Sequence, residues 1–154
     1  MSGAIEARLK SLGIVLPPVP TPVANYVPFV ITGSLVFLSG QGPRKAEGGM
    51  HSGKVGGGVT VDEAYQHARI VGIQLLSALR DAVGDLDRVT RIVKLLGMVN
   101  GVPDFKQHPK VINGCSDLLV EVFEAKGKHA RSAVGMGSLP DDITVEIEAI
   151  VEFK

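Results

Sequence analysis

Arg131 stands at the head of a small, apolar run, and three glutamates, Glu146, Glu148 and Glu152, recur along a second one just downstream. A guanidinium offers a planar fork of donors suited to holding a carboxylate through two parallel hydrogen bonds. A carboxylate near it can orient a water molecule or carry a proton. Along 143–153, Val145, Ile147, Ala149, Val151 and Phe153 alternate with Thr144, Glu146, Glu148, Ile150 and Glu152. A strand has a period of two, so this pattern puts the glutamates on one face. If the turn LPDD folds 131–137 back against 143–153, Arg131 falls opposite roughly residue 148, within reach of Glu146 or Glu148. That spacing serves a structural Arg–Glu pair as well as a ligand clamp. The glutamate face reads first as a solvated sheet face; helices on the other side would leave it to water or to an interface.

Other chemistries find less support. The loop GGMHSGKV approaches the phosphate-binding pattern through Gly48, Gly53 and Lys54, but Val55 stands where the hydroxyl for magnesium is needed. Three glycines follow instead of a helix N-terminus, so this reads as a flexible loop, not a nucleotide site. His51, His67, His108 and His129 are spread out, and none pairs with another His or Cys at ligand spacing, so no metal is expected. Cys115 lies on an apolar helical stripe, as a buried inert thiol does. No serine occupies a G-x-S-x-G elbow.

The elements that position these residues follow from periodicity and breakers. Ile5, Leu9 and Leu12 mark a short helix over 4–12, and LPPVPTPV is a proline-stiffened connection. FVITG and LVFLSG flank Gly33-Ser34 as a hairpin. Residues 42–59 form a long glycine-rich surface loop. Thr60 and Glu63 have capping-box spacing, opening a helix that ends at Gly84. VTRIVKLLGMV is a strand, 109–126 a second long helix stopped by Gly127, and 131–137 and 143–153 are the final strands. The order β-β-α-β-α-β-β after a leading helix predicts an α+β fold with both long helices on one face of a single sheet. One domain over 1–154 is expected, with 1–25 as helix and lead-in and 26–154 as core.

Composition narrows the class. Apolar residues make up 45% of the 154 and charged residues 21%, ordinary globular usage. Sixteen basic side chains balance sixteen acidic ones, which gives no footprint for nucleic acid. With five phenylalanines, two tyrosines and no tryptophan, little is available to stack bases. No run approaches the ~20 apolar residues of a membrane span. The single cysteine excludes an internal disulfide and suits a reducing compartment, so a cytoplasmic protein is expected.

ARSAV, the Leu139-Pro140 pair and VEIEAI together resemble the C-terminal signature of the RidA (YjgF) family of enamine/imine deaminases. FLSGQGP at 37–43 is similar to that family's strand-ending S-G-Q-x-P, and Tyr26 and Ile112-Asn113 match further positions. The likeness runs from about Tyr26 to the end; the leading helix and expanded loop suit a longer-chain branch. It implies a chorismate-mutase-like α+β fold with one mixed sheet, assembled as a homotrimer with ligand clefts between subunits. It also implies cofactor-free hydrolysis of 2-aminoacrylate or 2-iminopropionate to a 2-keto acid and ammonia. In that scheme Arg131 clamps the substrate carboxylate and Glu146 activates the attacking water. Gly40, after Ser39, admits close backbone approach, while Tyr26 and Asn113 line the cleft. Ala133 stands where many deaminating members carry cysteine, which alters the cleft wall but leaves the backbone groups. The alternative is a non-catalytic binding or regulatory module for small carboxylates such as 2-keto acids. A ribonuclease or translation inhibitor is a third reading, against which the neutral charge counts.

Overall fold

The structure, a computed structural model, describes residues 3–154. Helix α1 (Ala4–Ser11) sends Leu9 into the core at 2% exposure. Strands β1 (Phe29–Thr32) and β2 (Leu35–Gln41) form the expected antiparallel hairpin, turning on Gly33 at a φ of 57° that favours glycine. Helix α2 (Val61–Val83) opens on the reciprocal cap the sequence signals. Thr60 Oγ1 accepts from the Glu63 amide at 3.1 Å, and Glu63 Oε2 accepts from the Thr60 amide at 2.9 Å. Strand β3 (Val89–Asn100), helix α3 (His108–Phe123), strand β4 (Ala130–Met136) and strand β5 (Val145–Phe153) complete the chain. No helix among the described residues is long and apolar enough to cross a membrane.

The sheet is mixed, in the order β1-β2-β5-β3-β4, with β3 and β4 parallel and every other pair antiparallel. Both long helices cover one face. Leu75, Leu76 and Leu79 of α2 and Leu118 and Leu119 of α3 join the inward row Val145, Ile147, Ala149 and Val151 in one core cluster. Cys115 is fully buried there, and burial pushes its thiol up to about 12, against a smaller opposing pull from Arg131. It offers no thiolate.

One expectation fails. The last two strands are not a hairpin: β4 pairs with β3 and never with β5, so Arg131 lies opposite Leu95, not residue 148. The physical reason is that α3 is a crossover, and a crossover helix returns the chain parallel to the strand it left. Strand β5, apolar at every second position, fills the central slot between β2 and β3 instead. The chain reaches that slot through a 3-10 turn (Pro140–Asp142) that crosses the end of β3.

The glycine-rich loop also departs from the flexible surface segment expected. Val55 is fully buried; its amide donates to the Asn100 carbonyl at 2.9 Å and its carbonyl accepts from Val102 at 3.0 Å. Gly53 donates to the Asp142 carbonyl at 2.8 Å. The buried Asn100 side chain ties the junction, its Nδ2 donating to Asp142 Oδ1 at 2.9 Å. Amide hydrogen exchange should therefore find Gly53 and Val55 protected, against fast exchange at the exposed Gly58. Uniformly fast exchange across 42–59 would contradict this account.

Candidate active site

Paired positions on neighbouring strands share a face, so the register fixes where each candidate side chain points. Leu38, Ala149, Leu95 and Arg131 make one row across the sheet. The first three are core residues beneath the helices. Arg131 is the edge member of that row, so its guanidinium emerges beneath α3 rather than on the glutamate face. There Nη1 donates to Asn113 Oδ1 at 2.8 Å and to Ser116 Oγ at 3.1 Å. A guanidinium has five N–H donors, so Nε and Nη2 keep three for another acceptor. No carboxylate among the described residues pairs with it.

Ser116 and His129 were not singled out by sequence, yet they fix this arginine. His129 Nδ1 lies 2.6 Å from the Gly127 carbonyl, which can only accept, so Nδ1 carries the proton. Nε2 then accepts from Ser116 Oγ at 2.9 Å, and Ser116 in turn accepts from Arg131. Burial holds the His129 pKa below its ordinary value; the Gly127 bond opposes this and the Arg131 charge reinforces it. A neutral imidazole therefore sits behind the guanidinium. The available signal was local, since His129 precedes Arg131 by two residues.

Glu146 occupies the other face. It pairs with Met98 in a row that continues to Val134, and Glu148 pairs with Leu96 and through it with Ser132. The Arg131–Glu146 contact allowed by spacing is thus absent within one chain: a strand separates the two residues and the sheet turns them apart. Gly40 lies against Glu146 instead. A Cβ at Gly40 would come within 2.6 Å of Glu146 Oε2, so only glycine leaves room for the carboxylate there. Burial, then the charge of Glu148, raises the Glu146 carboxyl above its usual range.

Ser39 and Gly40 sit where the β2–β5 register shifts, a bulge that bends the strand away from regular pairing. The Ser39 hydroxyl donates to the Val27 carbonyl at 2.6 Å, which ties down the segment carrying the exposed Tyr26. Tyr26, Ser39 and Gly40 line a cavity of about 240 Å³ with Gln41, Arg44 and Met50. Asn113, Ala133 and Arg131 gather at the opposite sheet edge, with Ala133 packed against the core. The seven candidates therefore form two clusters, one at each side of the sheet. A wider concavity of about 560 Å³ beside α1 contains none of them.

The remaining polar residues divide similarly between expectation and surprise. Lys54 donates to the Gly137 carbonyl at 2.8 Å, a structural contact within the stitched loop. His51 and His67, unpaired by sequence spacing, stack with ring centroids 4.2 Å apart. Burial and then the neighbouring His51 push His67 down to about 4, and its Nδ1 lies 2.9 Å from Thr144 Oγ1. No group of three or more His, Cys, Asp or Glu side chains that could hold a metal gathers among the described residues.

A family model described as "YjgF/chorismate mutase-like, putative endoribonuclease" matches residues 6–146. Protein TCP17 of Trypanosoma cruzi is 45% identical over 154 residues, covering 99% of this chain and 96% of that protein. A solved structure from Shewanella oneidensis, named a "putative endoribonuclease", is 33% identical with a TM-score of 0.92, covering 97% and 99% of the two chains. The structure of E. coli TdcF with bound serine is 25% identical with a TM-score of 0.62, covering 88% and 94%.

Proposed function

The chain belongs to the YjgF/chorismate mutase-like family, and from that premise we propose that it hydrolyses reactive 2-imino acids to 2-keto acids and ammonia. The observation that carries the reading is Arg131. Its Nη1 is anchored by Asn113 and Ser116, while its Nε/Nη2 edge remains open to a planar carboxylate. Serine bound to TdcF supplies such a carboxylate in a relative. Because Arg131 and Glu146 face opposite ways, the proposal requires two copies of the chain, the Arg131 edge of one meeting the Glu146 face of the next. Exposed apolar side chains at Val30, Ile31, Phe37 and Val134 favour such an assembly, which we take to be a homotrimer.

In the proposed reaction Arg131 fixes the carboxylate of 2-iminopropionate and Glu146 accepts a proton from water. The water oxygen bonds to C2 and the C=N π pair moves to nitrogen, giving a carbinolamine. Starting from the iminium form, Glu146 returns that first proton to the amine nitrogen. The hydroxyl proton then passes to Glu146 as the oxygen pair forms the C=O and the C–N pair leaves with ammonia, giving pyruvate. An iminium carbon is already electrophilic, so orientation supplies much of the rate. The raised Glu146 carboxyl suits an acid–base role. The test is ammonia and pyruvate release from freshly generated 2-iminopropionate, measured above the spontaneous rate. No acceleration at any protein concentration would reject the reading.

A pH profile tests the glutamate separately. The kcat/KM profile should have its acid limb above the usual carboxylate range, because protonated Glu146 cannot accept a proton. Glu148→Gln removes a like charge, so Glu146 ionises more easily and the limb moves to lower pH. An unmoved limb would show that the titrating group is not Glu146.

Ala133 gives one observation for a second reading: it presents no reactive group, as in a module that binds 2-keto acids without turnover. Saturable 2-keto acid binding with no hydrolysis would select that reading. Ribonuclease activity, which relatives' names suggest, calls for basic side chains against phosphates, and the equal counts of acidic and basic residues argue against it.

A further inference from the structure

Among the described residues lining the cavity that holds Tyr26, Ser39 and Gly40, Arg44 alone is charged; it also borders a neighbouring groove beside Lys45 and Ile73. It is half-buried, yet no carboxylate among the described residues pairs with it. Its known side-chain contact is neutral: Nη2 donates to Gln41 Oε1 at 3.2 Å. Its surroundings are fixed with unusual care for an unpaired cation. The buried Gln74 accepts from the Arg44 amide at 3.0 Å and donates to Gln41 Oε1 at 3.1 Å and to the Gly42 carbonyl at 2.8 Å. One glutamine on α2 therefore sets the backbone of Arg44 and the acceptor that orients its guanidinium. Burial also removes water from that guanidinium, lowering its pKa and increasing what an incoming anion would contribute.

We infer that Arg44 is a second carboxylate-binding residue of the same site, and that the substrate is a 2-imino dicarboxylic acid. This rests on the imine-hydrolysis reading above, in which Arg131 of a neighbouring copy holds the first carboxylate. The geometry gives the order of groups. Gly40 touches both the Glu146 carboxylate and the cavity, so the reacting carbon lies beside Gly40. The cavity is also bordered by Arg44, whose guanidinium has four N–H donors without a hydrogen-bond partner among the described residues, so a side chain reaching along it can meet that cation. A methyl group, as in 2-iminopropionate, leaves that cation half-buried and unpaired, an unfavourable state for a charge.

The experiment compares two product-like acids of equal chain length, 2-oxoglutarate and 2-oxopentanoate, by calorimetric titration of the intact protein. The dicarboxylate should bind about tenfold or more tightly, the difference expected of a charge-assisted hydrogen-bonded pair. Arg44→Ala should bring the affinity ratio close to one, and Arg44→Lys, which keeps the charge without the fork, should leave an intermediate ratio. Equal affinities in the unmodified protein, no binding of either acid, or an unchanged ratio in Arg44→Ala would each overturn the inference. Imines generated from L-glutamate and L-norvaline are assayed in parallel, which keeps the two readings apart. Hydrolysis without dicarboxylate preference sinks the role of Arg44 and spares the reaction. Arg44-dependent dicarboxylate binding without hydrolysis does the reverse.

Discussion

Arg131→Ala is expected to lower kcat/KM for 2-iminopropionate hydrolysis by about 10²–10³, the range set by removing one partner of a buried, hydrogen-bonded charge pair. The loss should fall mainly on KM. The carboxylate is present in both ground and transition states, so its clamp contributes uniform binding. The fold should survive, because Arg131 ends an apolar row at the sheet edge and leaves only Asn113 and Ser116 short of a donor. Mixing tests the geometry more sharply. At substrate well below the unmodified protein's KM, Arg131→Ala and Glu146→Gln should each show little activity alone. Co-refolded in equal amounts, they should regain about a quarter of the sites, since some interfaces then join an intact arginine to an intact glutamate. Recovery fails if both residues of a site come from one chain. Full activity in Arg131→Ala would remove the arginine from the mechanism altogether.

Gly114→Ala should destabilise the protein by about 2–3 kcal/mol, even though alanine is the better helix former by about 1 kcal/mol. At this position α3 lies directly on α2. An added Cβ would collide with the Tyr65 carbonyl oxygen and lie 3.1 Å from the Arg69 amide nitrogen. Those neighbours are backbone, so no side chain can swing aside and the helices must separate. Opposite it, Gly72 of α2 keeps the same approach close, with Leu118 2.7 Å and Cys115 3.2 Å from where its Cβ would be. Thermal unfolding should fall by about 4–12 °C for a chain of this size. Gly58→Ala is the control, since nothing lies within 4 Å of its Cβ position. The effect should also reach the site, because Asn113 adjoins Gly114 and holds Arg131. A melting point unchanged in Gly114→Ala would mean that the two helices are not packed as closely as described.

Local rules carried most of the fold. The Thr60–Glu63 cap, the Gly33 turn, the alternation in β5 and the apolar stripes of both helices each depend on residues a few positions apart, and each is where the sequence puts it. What failed was long-range. Whether β4 turns back on β5 or follows α3 to the far side of β3 depends on which strands compete for the central slot. Alternation along a single strand carries no trace of that competition. The glycine loop misled for a related reason. Its glycines predict freedom, but Val55 and Asn100, far apart in sequence, determine how it is held. The family resemblance named candidate residues one by one; their division between two faces was not legible, because it follows from register.

The two clusters also differ in when they can exist. Asn113 and Arg131 are eighteen positions apart, and Ser116 and His129 lie between them. That cluster is complete as soon as β3, α3 and β4 have formed. Gly40 and Glu146 meet only after the last strand inserts between two earlier ones. Contacts of long sequence separation carry the larger loop-closure cost and form late. These separations predict that the arginine cluster assembles first, on a sheet that still has a gap in its middle. The glutamate cluster follows only when β5 closes that gap, so the two parts of the proposed site arise in succession rather than together.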